Sequence, residues 1–573
     1  MATATGVSSF AKSLFLGEIH EELVLPFPKP SDEDQQKTVA LLRSLREFAA
    51  ESYDQRKIED ERWIGDDVIA GLGERGLMGL YVAEEYGGQG LSQTGYCRVS
   101  EAFGQIDATL AVVMGVHQSI GMKGISMFGT DEQKARFLPD LASGRKLAAF
   151  ALTEPNAGSD VHGMETRAVR QADGSWRLNG VKHYIGNGSK AGVIVTFAAT
   201  DDGGHIALIL EPQMEGFEVG HRFDTMGLRG NDLRRLEYRD IRVPPENVLG
   251  EAGNGFKVAM QILNNGRMSL GTGSVGATKQ ILDRTIDHVK ERRQFGMPLA
   301  EFELVQDKIG WMVSYLFGLE SMSYLTTGLV DQGIPDYSLE SAIVKVSGTE
   351  FLWYAANRAL QLHGGAGYMR DRPWEKMIRD IRIFPIFEGA NDVMRAFIAL
   401  SGFKPLGEEL KELGEIDLAD PIGTIGVVAD YVVGRVKREV LPDRLSLAHE
   451  ALQDLARPVG DQVKRLREVS EGLLRKHGKG VVQQQFHQKR IADAAADIYG
   501  QVATLSRVSA IFDEHGVETS GQERYIAETF CTRAARRVEQ HLNQVEANDD
   551  ERMVAIAKLA LKRGEYGYAF FED

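Results

Sequence analysis

A single carboxylate stands out in residues 382–392, which read RIFPIFEGAND. Glu388 closes an apolar run of Ile and Phe residues, and Gly389 follows it directly. A carboxylate among apolar side chains is harder to ionise, so its pKa rises towards the pH at which a general base is most effective. Glycine leaves room for a substrate beside the backbone. Taken alone, this stretch favours a surface glutamate in a loop ahead of a helix that begins near Asn391.

A second stretch that could do chemistry covers residues 150–160, FALTEPNAGSD. It combines hydroxyl groups and closely spaced backbone N–H groups with little side-chain bulk at Ala157 and Gly158. Such a loop can hold a flat polar ring and a phosphate, because successive N–H groups form an anion-binding concavity. The alternative is an ordinary Pro-Gly-Ser connection, which is favoured while the stretch is considered by itself.

The composition limits the classes of protein that can carry these stretches. The chain has 573 residues, 43% hydrophobic and 26% charged, as in a soluble globular protein of about three or four domains. The net charge of −16 argues against a nucleic-acid binder, because nothing offsets phosphate repulsion. The only cysteines are Cys97 and Cys531, which excludes a disulfide framework and a cysteine-based zinc site, and we predict no metal site. No apolar run reaches the roughly 18 residues of a membrane-spanning helix.

Hydrophobic periodicity divides the chain into helical, strand-rich and again helical segments. Apolar residues have helical spacing in residues 31–149, alternate as in strands in residues 150–247, and return to helical spacing in residues 255–400. An alternating run that ends at Asn179-Gly180 predicts a strand followed by a hairpin turn.

The last part of the chain is predicted to be an additional helical domain. Gly, Pro and acidic residues in 401–424 predict a loose connection. Beyond it, apolar residues from Ile491 to Phe512 repeat every three or four positions, which predicts a helix with an antiparallel partner. Residues 463–490 are rich in Lys and Arg. Such a stretch can lie on anionic lipid or form a solvated helix face, and the second interpretation is slightly favoured.

Five short motifs occur in the order found in acyl-CoA dehydrogenases, which are FAD enzymes. Residues 150–160 are similar to the T-E-P-x-x-G-S-D signature of that family, and residues 184–188 resemble its second flavin-binding segment. Residues 292–296 and 361–367 resemble its R-x-Q-F-G and Q-x-x-G-G-x-G motifs, and residues 388–392 resemble its E-G-x-N-D base motif. Each motif is weak alone, but five in this order in an α–β–α chain are specific.

Within the family, residues 117–121, residues 263–267 and the tail beyond Thr424 resemble the very-long-chain subgroup, and the match begins around Ser8. The resemblance implies an α+β, acyl-CoA dehydrogenase-like fold with an extra C-terminal helical domain. The expected domains are a helical domain in residues 1–149, a β-barrel-like domain in 150–250, a four-helix bundle with the base in 251–405 and a helical extension in 406–573.

The resemblance also implies a reaction, the FAD-dependent dehydrogenation of a long-chain or very-long-chain acyl-CoA to the trans-2-enoyl-CoA. Glu388 would take the pro-R α-proton while the β-hydrogen leaves as hydride to flavin N5, and electrons would pass to an electron-transfer flavoprotein. The thioester oxygen would be held by the backbone N–H of the base and a ribityl hydroxyl. Some members carry the base just before the arginine that is here Arg267. That position is Gly266, so the resemblance leaves Glu388 as the candidate.

Further site residues follow from matching the motifs position by position. The expected FAD contacts are Phe150, Leu152, Thr153, Gly158, Ser159, Tyr184, Ile185, Gly186, Ala390, Asn391 and Asp392. The residues expected to reach the FAD of a neighbouring subunit, which implies a homodimer, are Arg292, Gln294, Phe295, Gln361, Gly364 and Gly365. The expected substrate contacts are Ser159, Asn264, Asn265, Gly266, Arg267 and Gly389. For Arg267, a structural ion pair and a contact with the base region are equally good expectations.

Three departures from the family pattern affect the expected flavin contacts. Gly186 stands where a Ser or Thr hydroxyl usually lies near flavin N5, and Ala390 replaces the threonine after Glu388-Gly389. Residues 231–233, Asn-Asp-Leu, stand where relatives usually have Ser-x-Thr. Neither the base nor the phosphate contacts are removed by these changes.

Two other functions fit the same motifs. An acyl-CoA oxidase would use oxygen to reoxidise the flavin, and a non-catalytic assembly or scaffold protein would keep the fold without the reaction. The first 17 residues contain no convincing secretory or transit peptide. We therefore expect a bacterial cytoplasmic protein, with a peripheral contact at the inner membrane left open as an alternative, or a mitochondrial inner-membrane protein if the chain is a processed eukaryotic one.

Overall fold

The computed structural model describes residues 7–414 and 443–568, and its first part is helical. A π-helical segment, Val116–Met122, joins two of these helices without a break. The helices are α1 (Phe10–Phe15), α2 (Asp32–Ser52), α3 (Gln55–Glu61), α4 (Asp66–Glu74), α5 (Gln93–Ile106), α6 (Ala108–Gly115), α7 (Lys123–Phe128) and α8 (Asp131–Ala142). The N-terminus of α2 forms as its sequence predicts, since Ser31 caps it and acidic residues occupy the first turn.

One seven-stranded sheet follows the first helices. The strands are β1 (Leu147–Ala151), β2 (Arg167–Arg170), β3 (Trp176–Ile185), β4 (Ala191–Thr200), β5 (His205–Leu210), β6 (Phe217–Arg222) and β7 (Arg234–Val243). Their order in the sheet is β1-β4-β2-β3-β7-β6. Strands β1 and β2 run parallel to β4 and pair with different parts of it, while β5 pairs antiparallel with β4 along the opposite edge of that strand. The strand-rich segment that the sequence predicts is thus confirmed.

The predicted hairpin turn at Asn179-Gly180 is wrong, because β3 continues through both residues to Ile185. Gly180 lies at an irregularity in the pairing with β7 and has a φ of 154°. A Cβ atom at this position would lie 2.4 Å from Thr166 Oγ1. The glycine therefore permits a close approach between strands, while the turn from β2 to β3 uses Gly174, with a φ of 84°.

Long helices form the second helical part of the chain. They are α9 (Gly255–Glu291), α10 (Glu303–Asp331), α11 (Ser338–His363), α12 (Gly365–Tyr368), α13 (Trp374–Ile381) and α14 (Asn391–Gly414). Two short strands, β8 (Arg293–Gln294) and β9 (Met297–Pro298), form a hairpin between α9 and α10. Helix α9 packs against α11, α5 and α10, so it joins the bundle to the first helical part.

The predicted loose connection is wrong for its first 14 residues, because α14 continues to Gly414 and includes Pro405. Phe403 is buried and its ring packs edge-on against Phe15 of α1, with the centroids 6.2 Å apart. Gly402 leaves the room that the Phe15 ring occupies. Burial against α1 therefore outweighs the weak helix propensity of this segment. Residues 415–424 lie outside the described residues.

Within residues 443–568, the tail contains four α-helices: α15 (Gln453–His477), α16 (Gln485–His515), α17 (Gly521–Asn543) and α18 (Asp550–Arg563). The apolar stripe of α16 is buried, and α16 packs against α17, which confirms the predicted pairing. In the basic stretch, the side chains of Arg475, Lys489 and Arg490 each lie 2.6 Å from a carboxylate oxygen. No helix within residues 7–414 and 443–568 combines the length and the apolarity needed to cross a bilayer.

Phe530 of α17 attaches the tail to the bundle, and its loss should destabilise the protein. Its ring lies against Gly318 of α10 and makes an edge contact with Tyr315, with the centroids 5.4 Å apart. Because the side chain is buried, we expect Phe530→Ala to lower the free energy of unfolding by about 3–5 kcal/mol in urea denaturation. The exposed Tyr525 on the same helix is the control, since Tyr525→Ala should change it by less than about 0.5 kcal/mol. Equal effects of the two variants would contradict this role.

Candidate active site

A cavity of about 1180 Å³ lies where α5, α9, the edge of the sheet and the loop before α14 meet. Most of its wall is apolar, with contributions from Phe103, Val112 and Met114 of α5 and α6. The π-helical segment also borders it. Segments of π-helix inside α-helices frequently mark functional sites. The cavity can therefore bury a long apolar group beside a few polar ones.

The fold brings predicted site residues from four separate parts of the chain to this cavity. The residues of the predicted set that line it are Phe150, Leu152, Thr153, Gly158, Ser159, Tyr184, Ile185, Gly186, Asn264, Gly266, Arg267, Glu388, Gly389 and Ala390. The stretch around Glu388, which taken alone favours a surface loop, thus forms part of the cavity wall.

Glu388 sits in a sharp bend between α13 and α14. Its φ is 57° and that of Gly389 is 92°, so both residues have left-handed backbone conformations, which are rare for a glutamate. Arg267 holds the bend from α9, since its Nε donates to the Glu388 carbonyl oxygen at 3.3 Å. Of the two expectations for Arg267, the structure thus shows the contact with the base region. Its Nη1 also donates to Asn264 Oδ1 at 2.9 Å.

The Glu388 carboxylate is in an unusual environment. Its Oε2 is buried and has no hydrogen-bond partner in the described part of the chain. A Cβ atom on Gly266 would lie only 2.8 Å from this oxygen, so the glycine provides the space that the carboxylate occupies. Burial raises the pKa of Glu388 to about 7, although the cations of Arg267 and Lys345 oppose the rise. The group can therefore accept a proton near neutral pH.

A buried ion pair fixes the loop that carries Phe150, Leu152 and Thr153 at the cavity. Lys182 Nζ lies 2.7 Å from Glu154 Oε1 and also donates to the Leu152 carbonyl oxygen at 3.0 Å. The Glu154 carboxylate in turn accepts hydrogen bonds from the backbone N–H groups of Glu165 and Thr166. The loop is thereby tied to the sheet at Leu152 and Glu154.

Four family models match the chain, and together they cover most of it. They are described as Acyl-CoA dehydrogenase, N-terminal domain at residues 34–145, middle domain at 149–241 and C-terminal domain at 253–402, and as ACAD9/ACADV, C-terminal domain at 450–566. The chain belongs to the acyl-CoA dehydrogenase family. It is accordingly an oxidoreductase that acts on acyl-CoA, and the predicted fold class is confirmed.

Relatives extend over nearly the whole chain. The chain is 37% identical to the mitochondrial very long-chain specific acyl-CoA dehydrogenase of Rattus norvegicus, over 97% of this chain and 88% of that protein. It is 33% identical to a probable acyl-CoA dehydrogenase of Bacillus subtilis, over 86% and 84% of the two chains. A crystal structure of an acyl-CoA dehydrogenase complexed with FAD from Bacillus anthracis superposes with a TM-score of 0.82 at 30% identity, covering 96% of this chain and 94% of that one.

The cavity fits the FAD of an acyl-CoA dehydrogenase on observations of this chain. Gly158 has open space where a Cβ atom would stand, so a phosphate can approach the backbone there. Asn231 Oδ1 borders the cavity, is buried and has no hydrogen-bond partner within the described residues. Tyr184 and Asn187 have φ values of 58° and 56°, so the second flavin segment is a bent loop of the kind found at ligand sites.

The structure gives a physical reason for one departure from the family pattern. A Cβ atom on Gly186 would lie 3.1 Å from Val116 Cγ2, tighter than an ordinary contact. Val116 belongs to the π-helical segment, and the valine side chain fills the space beside Gly186. A serine or threonine at this position would have to displace that valine.

Six further predicted cofactor residues form a second, exposed group away from the cavity. The end of α9, which leads into the hairpin, lies against the end of α11. His288 on α9 and His363 on α11 stack their rings there, with the centroids 4.0 Å apart. Phe295 at the tip of the hairpin is 94% exposed. The residues in this group are Arg292, Gln294, Phe295, Gln361, Gly364 and Gly365. Their predicted contact with a neighbouring subunit remains a prediction.

Besides this exposed group, three more predicted residues lie outside the cavity wall, and one buried lysine was not predicted from the sequence. Asn265 is buried behind the wall and donates to the Tyr337 hydroxyl at 3.2 Å. Asp392 is exposed in the first turn of α14. Asn391 is buried and accepts a hydrogen bond from Lys345 Nζ at 2.7 Å. Lys345 could have been noticed in the sequence, because it is the one charge within the otherwise apolar residues 342–346 of α11.

Proposed function

We propose that this protein is an FAD-dependent dehydrogenase of long-chain or very-long-chain acyl-CoA, and that Glu388 is its catalytic base. The observation that carries the proposal is the unpartnered, buried Glu388 Oε2 at the wall of a large apolar cavity. When FAD is bound, it supplies the acceptor for the β-hydrogen, which leaves as hydride. The carboxylate removes the α-proton, and the product is the trans-2-enoyl-CoA.

The backbone around Glu388 is suited to assist removal of a proton from a very weak acid. An α-C–H beside a thioester loses its proton only if the carbonyl oxygen is held by preorganised donors. The N–H of Glu388 is engaged in none of the backbone hydrogen bonds of residues 7–414, so it is available for that oxygen. Arg267 holds the carbonyl of the same residue, which restrains the adjoining peptide group between Glu388 and Gly389. One residue thus offers both the base and a donor.

The apolar part of the cavity supports an acyl chain as the buried group. Its wall between α5 and α9 includes Phe103, Gly104 and Gly273, which add little polarity. Burying each CH₂ of the chain contributes about 0.8 kcal/mol, so a long chain binds more tightly than a short one if it fits. Entry of the chain also expels water, which raises the pKa of Glu388 further towards that of its substrate.

The exposed second group of cofactor residues favours a homodimer in which each FAD site uses two chains. Arg292 offers the cation that a pyrophosphate needs.

The electron acceptor we propose is an electron-transfer flavoprotein, as for the family in general. We also propose a bacterial cytoplasmic or mitochondrial setting, with a peripheral membrane contact through the tail. In that contact, Lys476 and Lys479 would approach anionic lipid.

Anaerobic titration with acyl-CoA substrates tests the proposed function. We expect the purified yellow protein to lose its flavin absorbance when palmitoyl-CoA is added, because the two reducing equivalents remain on the cofactor. The response should be stronger for long chains than for butyryl-CoA, since the cavity is large and mostly apolar. FAD-loaded protein that bleaches with no chain length would contradict the proposal. Stoichiometric release of peroxide in air would favour an oxidase, and failure to bind FAD would favour a scaffold protein.

A further inference from the structure

Lys345 is a buried lysine that the proposed reaction does not use. It lies on α11 with 0% exposure, and its two hydrogen-bond partners are neutral oxygens of the bend that carries the base. Its Nζ donates to the Gly389 carbonyl oxygen and to Asn391 Oδ1, each at 2.7 Å. Burying a lysine beside neutral oxygens costs free energy that a methionine in its place would not cost. A residue of this kind calls for a functional explanation.

The charges that act on Lys345 lie on the bend, on α11 itself and on the neighbouring helices α9 and α14. Glu388 in the bend and Glu350 on α11 stabilise its ammonium, while Arg267 on α9 and Arg395 on α14 oppose it. Burial outweighs the two carboxylates and lowers the pKa of Lys345 to about 7. Conversely, the Lys345 cation stabilises the ionised form of Glu388. The two groups therefore respond to each other's charge.

Arg267 and Lys345 together hold two successive carbonyl groups of the bend. Arg267 binds the Glu388 carbonyl from α9, and Lys345 binds the Gly389 carbonyl from α11. Since Glu388 has a positive φ, which is rare for a residue with a side chain, its backbone is held by contacts rather than by its own preference. The carboxylate direction follows from the bend, so Lys345 acts on the base through its backbone as well as through its charge.

The orientation of Asn391, the second partner of Lys345, is fixed in turn by other helices. Its Nδ2 donates to Glu350 Oε1 at 3.2 Å, and Arg395 holds both oxygens of that carboxylate at 2.7 Å. Arg395 Nε reaches Asp493 on tail helix α16, also at 2.7 Å. The tail thus supports the same bend through Arg395, Glu350 and Asn391, the last of which binds Lys345.

We propose that Lys345 is a positioning residue for the dehydrogenation: it holds the Glu388-Gly389 bend in place and favours the ionised carboxylate. This inference rests on the proposed function, in which Glu388 is the base. A merely structural lysine would affect folding but not the pH at which the enzyme becomes active. The pH profile therefore separates the two roles.

Two variants separate the charge of Lys345 from its hydrogen bonds. Lys345→Gln removes the charge and keeps a donor, whereas Lys345→Met removes both at similar length. In both, we expect the acid limb of the kcat/KM profile to move up by about one pH unit, because Glu388 loses a cationic neighbour. Only Lys345→Met should also lose about tenfold in the high-pH plateau of kcat, since the bend is released. KM for palmitoyl-CoA should change by less than about threefold.

Lys279→Met is the matched control, because Lys279 is a half-buried lysine that pairs with Glu101 and Glu320 and not with the base. Its acid limb should coincide with that of the wild type. FAD content and circular dichroism are measured for every variant. An unmoved acid limb in folded, FAD-loaded Lys345→Gln would overturn the positioning role. The positioning role would also be overturned if both Lys345 variants failed to fold while Lys279→Met folded normally.

Glu388→Gln measured in parallel distinguishes failure of this inference from failure of the proposed function. If Glu388→Gln is inactive and the Lys345 variants keep the wild-type acid limb, only the positioning role is wrong. If Glu388→Gln keeps wild-type activity, Glu388 is not the base and both proposals are wrong. If Glu388→Gln is inactive and the acid limb of the kcat/KM profile is shifted in the Lys345 variants, both proposals are supported.

Discussion

Replacing Glu388 by glutamine should lower kcat by about 10²–10⁴-fold and leave substrate binding nearly unchanged. The amide has the shape of the carboxylate but cannot accept the α-proton, and general base catalysis contributes about that factor. Its volume matches that of the acid, so the contacts with Gly266 and with the cavity persist. The measurement is the rate of flavin bleaching by palmitoyl-CoA in single-turnover experiments.

Two controls accompany Glu388→Gln. Binding is followed through the change that palmitoyl-CoA causes in the oxidised flavin spectrum, which should remain. Glu303→Gln removes an exposed carboxylate in the first turn of α10 and should keep kcat within about twofold of wild type. Bleaching by Glu388→Gln at the wild-type rate would show that the base lies elsewhere.

The second large effect is expected for Gly266→Ala, which adds one methyl group beside the base. The new Cβ atom would lie 2.8 Å from both Glu388 Oε2 and Ile120 Cγ2, so the carboxylate must move. A misplacement of about 1 Å at a reacting group can cost about 10²-fold in rate. We therefore expect a loss of that size in kcat, measured by the same single-turnover assay.

Gly310→Ala is the control for adding a methyl group to a helix. Gly310 lies on the exposed face of α10, and a Cβ atom added there would have open space around it. The variant should keep full activity and gain slightly in stability, because alanine has the higher helix propensity. A wild-type kcat for Gly266→Ala would mean that the carboxylate has room that the structure does not show.

The sequence predicted the class of the fold and 14 of the residues that line the cavity, through motifs whose order is specific. Glu388 illustrates the limit of local reasoning, since its own neighbours favoured a surface loop. Its burial results from α9, where Gly266 and Arg267 are more than 120 positions away along the chain. No local pattern contains that approach, and only the likeness of the whole motif set pointed to it.

The wrong predictions have the same physical cause. Asn179-Gly180 has the composition of a hairpin turn, yet Gly180 is needed where β3 passes Thr166 closely. Residues 401–414 have weak helix propensity, yet Phe403 is buried against Phe15 and the helix continues. In both cases contacts distant in sequence outweigh local preference. Lys345 was missed because its partners, Gly389 and Asn391, come together with it only in the folded chain.

The most direct test of the central claim is exchange of the substrate α-proton with solvent deuterium. A palmitoyl-CoA analogue with sulfur at the β position has no β-hydrogen to lose, so it reports proton removal alone. We expect wild-type protein to incorporate deuterium at the α-carbon and Glu388→Gln to bind the analogue without exchange. Exchange at the wild-type rate in Glu388→Gln would show that another group removes the proton.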